Sequence, residues 1–355
     1  MEDRPSPVRP VRPALRLATG VVVAVVGALL VASGLLAIAS NGAPGASPSG
    51  SSGVEAQASD EAASGAPSSP EAGSAQPSAE APASSSLLPT ADPVLVGAGD
   101  IGVCGSNDDE ATAALVEQIP GIVFTLGDNA YEQGTAAEFR DCFGSSWGAV
   151  KDRIQFAVAG NHDWETDNAQ GFRDYFGAAG APDGVTWFSR DVGGWHVIVL
   201  DADCAAVRGC GPDSAQGRWL AADLAKDTAR CTLAMWHQPR FSSGFHGDDR
   251  TVAPLWDALY AAGADLVLNG HDHDYERFAP QDPSGSADPS RGITEIVAGT
   301  GGAGLRDFGT IAPNGIARSS FVHGVLVLTL HQAGWDSRFV STDGSFTDQA
   351  HGTCH

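Results

Sequence analysis

The sequence is poor in basic residues. It contains 20 lysines and arginines against 43 aspartates and glutamates, which gives a formal net charge of −23 at pH 7. After the two net positive charges of residues 1–40 and the five acids of residues 41–90 are removed, residues 91–355 retain −20. Proteins that bind nucleic acid or anionic membranes contact phosphate through lysine and arginine, so this balance argues against both kinds of partner.

Residues 41–90 have almost no large apolar side chains. They consist almost entirely of Ala, Ser, Pro and Gly with a few acids. Such a segment cannot bury enough apolar surface to offset its chain entropy, so we predict a disordered linker. The remaining residues, 91–355, are long enough for one large domain with a sizeable core.

An apolar run precedes the linker. Leu17–Ala39 contains no charged residue and follows four arginines. A run of this length can span a bilayer, with the arginines holding the amino terminus in the cytoplasm. Alternatively, residues 1–40 contain a signal peptide that is cleaved after Ala37-Ile38-Ala39. Both interpretations export the rest of the chain, which would be secreted or held at the outer face of the cell membrane by a single span.

The sequence also lacks cysteine pairs with the spacing that is typical of a zinc site. The six cysteines include no C-x-x-C pair, which makes a cysteine-based zinc site the weaker interpretation. An even number of cysteines in an exported chain favours disulfides, but the sequence does not choose among the possible pairings. Cys204 with Cys210 closes a short loop and is the best single prediction.

From Val94 onward, apolar runs alternate with helical patterns. This order predicts βαβ units and a largely parallel sheet, followed by strands that look more like hairpins, the first of them around Gly193-Gly194. Two packed mixed β-sheets flanked by helices would accommodate it, so we expect an α/β fold. Predicted strands cover 94–98, 122–126, 154–159, 186–190, 195–201, 231–236, 265–268, 293–297, 322–330 and 337–341. Predicted helices cover 108–118, capped by Asn107, then 135–143, 146–151, 168–176, 214–226 and 252–262.

Five of the apolar runs end in residues of metal-ligand type. These are Asp100, Asp128 with Tyr131, Asn161 with His162, His237, and His271 with His273. Each block alone is typical of a turn, a helix cap or a buried histidine. However, parallel strands end at one edge of a sheet, so we expect these groups to converge. They are too many for one ion, and two ions about 3.5–4 Å apart that share a carboxylate would use them.

Five sequence blocks resemble the signature of the purple acid phosphatases, within the calcineurin-like metallophosphoesterase superfamily: GDIG, GDNAY, GNHD, MWHQP and GHDHDYER. The resemblance covers most of residues 94–280. Many members of the superfamily have a histidine where this chain has Gly102. Tyr131, in contrast, points to the purple acid subgroup.

The resemblance implies a metallophosphoesterase sandwich over residues 91–355 with two metal ions. A ferric ion would be held by Asp100, Asp128, Tyr131 and His273. A divalent Fe, Zn or Mn ion would be held by Asp128 as the bridge, with Asn161, His237 and His271. By the same resemblance, His162 and His246 contact substrate phosphate or protonate the leaving group. The loop that contains His246 gives this last role no independent support.

The implied function is that of an exported, acid phosphatase-like enzyme. It would hydrolyse small phosphate monoesters by attack of a metal-bound hydroxide. One alternative is a phosphodiesterase or nucleotide hydrolase of the same superfamily. Another, from a different class, is a non-catalytic metal-binding surface protein. The sequence specifies neither the substrate nor the oligomeric state.

Overall fold

Residues 91–355 are described by a computed structural model. The predicted signal or anchor segment, residues 1–40, and the predicted linker, residues 41–90, lie outside the described residues. Within the described part of the chain, no helix is both long and apolar enough to cross a bilayer.

The described residues form two large sheets and one short two-stranded pair. The strands are β1 Val94–Ala98, β2 Gly102–Val103, β3 Ile122–Leu126, β4 Ala130–Tyr131, β5 Ile154–Val158, β6 Phe188–Val192, β7 Trp195–Val199, β8 Cys231–Met235, β9 Leu266–Asn269, β10 Tyr275–Phe278, β11 Thr294–Ala298, β12 Gly315–Ser319, β13 Gly324–His331, β14 Gly334–Ser341 and β15 Thr347–Thr353. The α-helices are α1 Asp108–Gln118, α2 Ala136–Asp141, α3 Asn161–Trp164, α4 Gln170–Phe176, α5 Ala215–Leu224 and α6 Ala253–Ala262.

Each large sheet combines a group of parallel strands with antiparallel strands. The first sheet has the order β15-β14-β13-β1-β3-β5, and the second has the order β12-β10-β11-β9-β8-β7-β6. In the first sheet, β1, β3 and β5 are parallel, whereas β13, β14 and β15 join antiparallel. The prediction of two packed mixed sheets is therefore confirmed. The expected parallel part consists of β1, β3 and β5 in the first sheet and of β11, β9, β8 and β7 in the second, and the remaining pairs of these two sheets are antiparallel.

Successive residues of a central strand point to opposite faces of its sheet, and each face packs against a different layer of the fold. Leu95 belongs to the apolar cluster between the two sheets, whereas the next residue, Val96, packs with Val116 of α1. On the outer face of the second sheet, Ile198 packs with Leu255 of α6. Because both faces of these strands are covered, the strands read as continuous apolar runs in the sequence.

Some element boundaries follow contacts that the sequence did not indicate. The strand Thr347–Thr353 has no apolar alternation, and it forms because it pairs with β14 along its whole length. Asn107 occupies the position before α1, but its side chain makes no capping bond. Ser106 Oγ instead accepts a hydrogen bond from the backbone N–H of Asp108 at 3.2 Å.

All six cysteines pair as disulfides. Cys204–Cys210 confirms the predicted pair, and the other two bonds are Cys104–Cys142 and Cys231–Cys354. No cysteine is free among residues 91–355, so the alternative of a cysteine-based zinc site is wrong.

Candidate metal centre

The predicted ligands follow the carboxyl ends of strands from both sheets. Asp100 follows β1, Asp128 follows β3, Asn161 begins α3 after β5, His237 follows β8, and His271 and His273 follow β9. Tyr131 ends β4, which pairs in parallel with β2. Strand β2 begins at Gly102, shortly after Asp100. The structure therefore brings all seven predicted ligands to one edge, as expected for parallel strands.

One group of side chains surrounds the phenol of Tyr131. Its Oη lies 2.8 Å from Asp100 Oδ1, 3.2 Å from Asp128 Oδ2 and 3.2 Å from His273 Nε2. His273 Nε2 is also 3.3 Å from Asp100 Oδ1. Four donor atoms of three chemical types thus converge, and they are the set predicted for the ferric ion.

A second group meets the first at Asp128. The same oxygen, Asp128 Oδ2, lies 3.1 Å from His237 Nε2. His237 Nε2 is in turn 3.3 Å from His271 Nδ1, and one ligand atom from each of these three residues lies within 4.8 Å of the others. Asp128 is therefore the residue that the two groups of side chains share.

The remaining predicted ligand has an unsatisfied oxygen. Asn161 Oδ1 is buried and has no hydrogen-bond partner. The neighbouring backbone N–H of His162 donates to Asp128 Oδ1 at 2.8 Å, which fixes the start of α3 against the shared carboxylate. A buried amide oxygen without a partner costs free energy, and a cation would satisfy it. The residues present therefore fit a metal centre.

Three of the predicted ligands adopt unusual backbone conformations. Asp100, Asp128 and His271 have φ angles of 60°, 49° and 71°. Non-glycine residues in this region cost roughly 1–3 kcal/mol each and cluster at functional sites. This backbone conformation turns each side chain away from its strand and toward the candidate metal centre.

Glycines precede the ligands because the strand ends approach each other closely. A Cβ atom on Gly127, which has a φ of +91°, would lie 2.4 Å from the imidazole of His237. A Cβ atom on Gly270 would lie 2.6 Å from Asp100 Oδ2. Both contacts are too short for any side chain, which explains the Gly-Asp and Gly-His pairs of the sequence blocks.

Backbone carbonyls orient two of the imidazoles. His237 Nδ1 donates to the carbonyl of Leu126 at 2.7 Å, and His273 Nδ1 donates to the carbonyl of Gly304 at 2.8 Å. Because a carbonyl only accepts, Nδ1 carries a proton in both rings, and Nε2 is the ring nitrogen that faces the carboxylates. Metal-binding histidines are held in this way by a partner behind the ring.

Comparison with known proteins agrees with this geometry. The family described as calcineurin-like phosphoesterase matches residues 94–275, which is just over half of the chain. The chain belongs to this phosphoesterase family. The match begins with β1 and ends directly after His273, so it contains every predicted ligand.

Several purple acid phosphatases are similar to this phosphoesterase. Purple acid phosphatase 15 of Arabidopsis thaliana is 26% identical over 219 residues, which cover 50% of this chain and 40% of the relative. Human acid phosphatase type 7 is 29% identical over 171 residues, covering 40% of this chain and 39% of the relative. The chain thus spans less than half the length of these relatives.

A solved structure supports the fold. The purple acid phosphatase PPD1 from yellow lupin seeds has a TM-score of 0.59 and 17% sequence identity, and it covers 74% of this chain and 54% of its own. This likeness confirms the predicted metallophosphoesterase sandwich fold.

The candidate centre of the phosphoesterase contains buried carboxylates whose negative charge a bound cation would balance. Burial lowers the pKa of His237, but the carboxylates of Asp128 and Asp100 outweigh it and raise this pKa to about 10. Burial and the same two carboxylates raise the pKa of Tyr131 well above its usual value. A metal ion would offset the buried carboxylates and release both groups to act as ligands, since nearby cations favour deprotonated donors.

Both predicted substrate histidines lie beside the metal ligands. The ring of His162 is 4.6 Å from that of Tyr131, and its Nδ1 lies 2.6 Å from the carbonyl of Glu132. The ring of His246 is 4.4 Å from that of His271. The fold therefore places His246 at the site, although its roles and those of the ligands stay predictions.

Sequence reasoning missed the residues that position His246. Asp272, between the two histidine ligands, accepts from the backbone N–H of His246 at 2.7 Å and from Ser242 Oγ at 2.5 Å. Glu276 accepts from the backbone N–H of Ser243 at 2.6 Å. The acidic residues of the GHDHDYER block were the available signal, because buried carboxylates often hold the amides of a loop.

Arg306 is a further residue that the sequence did not single out. Its Nη1 lies 2.6 Å from His246 Nε2, and its backbone N–H donates to the carbonyl of His273 at 3.1 Å. Guanidinium groups only donate, so His246 Nε2 is the acceptor here. Burial lowers the pKa of His246, and the charge of Arg306 acts in the same direction against that of Asp272.

Proposed function

We propose that this chain hydrolyses phosphate monoesters at a binuclear metal centre. The observation that carries the proposal is the position of Asp128 Oδ2, which lies 3.2 Å from Tyr131 Oη and 3.1 Å from His237 Nε2. A carboxylate between two donor groups is the arrangement that a two-metal site uses.

The proposed ligand sets follow the two groups of side chains. Asp100, Asp128, Tyr131 and His273 would hold Fe(III), and Asp128, Asn161, His237 and His271 would hold a divalent Fe, Zn or Mn ion. Two such cations supply positive charge for the phosphoryl oxygens and lower the pKa of water.

The histidines beside the centre would handle the substrate. His162 is held by two bonds, from its backbone N–H to Asp128 and from its ring Nδ1 to the Glu132 carbonyl, so Nε2 is the ring nitrogen left for the substrate. Nε2 lies 3.9 Å from Asp128 Oδ2. A protonated imidazole here would contact the phosphoryl group or give a proton to the leaving oxygen. His246 would serve the same substrate from its position beside the ring of His271.

Capture of the substrate would depend on local charges. Residues 91–355 carry a formal charge of −20, which repels phosphate esters at long range. The metal ions and the cationic side chains near them would therefore supply most of the attraction.

Export is also part of the proposal. Three disulfides lie in residues 91–355, and such bonds persist in oxidising compartments. Residues 1–40 would direct the chain to the outside of the cell as a signal peptide or as a membrane anchor.

Comparing p-nitrophenyl phosphate with bis(p-nitrophenyl) phosphate, at pH 5 and pH 7, tests the proposed reaction. We expect the larger kcat/KM for the monoester. A larger value for the diester would favour the phosphodiesterase alternative. Tightly bound metal without turnover of either ester would instead identify a non-catalytic metal-binding protein.

Replacing Tyr131 with Phe should remove visible colour from the purified protein. A phenolate on ferric iron absorbs visible light, and Tyr131 is the phenol whose Oη lies among Asp100, Asp128 and His273. The measurement is a visible absorption spectrum together with metal analysis. Tyr175, whose ring packs on Phe139, gives a matched control, since Tyr175→Phe should keep the band. A coloured Tyr131→Phe protein with an unshifted band would contradict the ligand assignment.

A further inference from the structure

An open cleft adjoins the side of the metal centre where His246 lies. Its volume is about 540 Å³, and its lining includes Phe245, His246, Arg250 and Ile311. Phe245 and Ile311 are large apolar residues, yet their side chains are 68% and 48% exposed. Exposed apolar side chains beside a polar site are characteristic of ligand-binding clefts.

Three rings lead from the centre into this cleft. The ring of His271, a predicted metal ligand, lies 4.4 Å from that of His246. The ring of His246 lies 5.2 Å from that of Phe245, in an edge-to-face arrangement. A phosphate ester with its phosphoryl group at the metals and its leaving oxygen near His246 would therefore place the rest of its alcohol against Phe245.

The backbone of this loop is fixed, so the position of Phe245 is defined. Asp272 accepts from the N–H of His246, and Ser242 Oγ accepts from the N–H of Gly244. A Cβ atom on Gly244 would lie 2.2 Å from the carboxylate carbon of Asp272, so the loop packs directly on the histidine block. Hydrogen bonds and close packing thus hold the cleft wall against the block that contains His271 and His273.

Arg306 places a positive charge beside two residues of the cleft lining, His246 and Phe245. Its guanidinium lies 5.5 Å from the centre of the Phe245 ring and bonds His246 Nε2. The ion pairs that arginines form with carboxylates within residues 91–355 are Arg140–Asp141 and Arg277–Asp348, so Arg306 has no carboxylate partner there. In a strongly acidic domain, an arginine without an acidic partner beside a phosphate site is available to bind the anion.

We propose that this cleft is the leaving-group subsite of the enzyme. Phe245 and Ile311 select phosphate esters whose alcohol carries a planar aromatic group, and Arg306 contacts the phosphate of the same substrate. Flat rings stack on an exposed phenylalanine better than puckered aliphatic rings do. The assignment rests on the proposed phosphomonoesterase function.

Two esters of matched size test the selectivity for planar groups. Benzyl phosphate and cyclohexylmethyl phosphate both release a primary alcohol, so they differ mainly in the flatness of the ring. With full-length protein, Phe245→Leu should lower the ratio of kcat/KM for benzyl to kcat/KM for cyclohexylmethyl phosphate by roughly three- to tenfold. Phe321 is 67% exposed and packs on Phe346 instead, so Phe321→Leu should leave the ratio unchanged.

Inorganic phosphate tests the contact assigned to Arg306. Arg306→Gln should raise the inhibition constant of phosphate by about tenfold or more, because a charge-assisted hydrogen bond is lost. Arg306→Lys should recover part of the loss. Arg291 also lies over an aromatic ring, 5.0 Å from that of Tyr260, and Arg291→Gln should not change the inhibition constant.

The outcomes separate this assignment from the proposed function. Wild-type protein that hydrolyses neither ester would overturn the phosphomonoesterase function itself. Active protein whose ester ratio is unaffected by Phe245→Leu, or equally affected by Phe321→Leu, would overturn only the aromatic subsite. An unchanged inhibition constant in Arg306→Gln would remove Arg306 from phosphate binding.

Discussion

Replacing Asp128 with Asn should lower kcat/KM for p-nitrophenyl phosphate by more than about a hundredfold, which is the upper range for residues that only orient metal ligands. Asparagine keeps the size of the side chain but removes the charge that would bind both ions. It also removes the oxygen that faces both Tyr131 and His237. Elemental analysis of the same protein should show a lower metal content, because two ligand sets lose their shared member.

Asp201 offers a matched control for this substitution. It also follows a strand, β7, and it is fully buried. Its carboxylate accepts from Thr186 Oγ1 at 2.6 Å and from Trp164 Nε1 at 3.0 Å, and burial raises its pKa to about 7. Asp201→Asn should therefore retain the metal and most of the activity. Equal kinetics in the two variants would show that Asp128 is merely another buried acid.

Removing the Cys231–Cys354 disulfide should destabilise the domain more than removing Cys204–Cys210. The first bond joins residues 123 positions apart and the second joins residues 6 apart. In the chain-entropy description, their loss lowers the free energy of unfolding by about 5 and about 2 kcal/mol. The long-range bond also ties the end of the chain, after β15, to the start of β8 in the second sheet.

Denaturant unfolding of two double variants measures this difference. The variants are Cys231→Ser with Cys354→Ser, and Cys204→Ser with Cys210→Ser. Each variant replaces one disulfide by two serines, so the substitution is the same in both and the lengths of the closed loops are compared. A larger loss for the short loop would mean that local packing around the sulfurs, and not loop closure, decides the stability.

The order of strands and helices could be predicted in large part from the sequence. Runs such as Val94–Ala98 and Ile122–Leu126 are buried on both faces, so their apolar character marks them without any tertiary information. Strands β10, β12 and β15 could not be predicted in this way. Their sequences are polar or mixed, and they exist because a neighbouring strand offers hydrogen bonds.

The same distinction applies to the disulfides, of which one could be predicted from the sequence and another could not. Cys204–Cys210 was predictable because the chain between them is short and has few alternatives. Cys231 and Cys354 are 123 positions apart in the sequence, and they meet because the sheet that contains β14 and β15 packs against the sheet that contains β8. Pairing over such a distance depends on the topology, which local sequence does not encode.

The sequence by itself determined the ligand types of the candidate centre and their order. The ligands come in short blocks directly after strands, and a strand end fixes where the following side chains emerge regardless of what the rest of the chain does. Only the tertiary structure decided what surrounds that centre. His246, Asp272 and Arg306 come from three separate loops, and their contacts depend on how those loops pack on one another. The cleft that Phe245 borders is set by the same packing, because loop conformation follows long-range contacts more than local sequence.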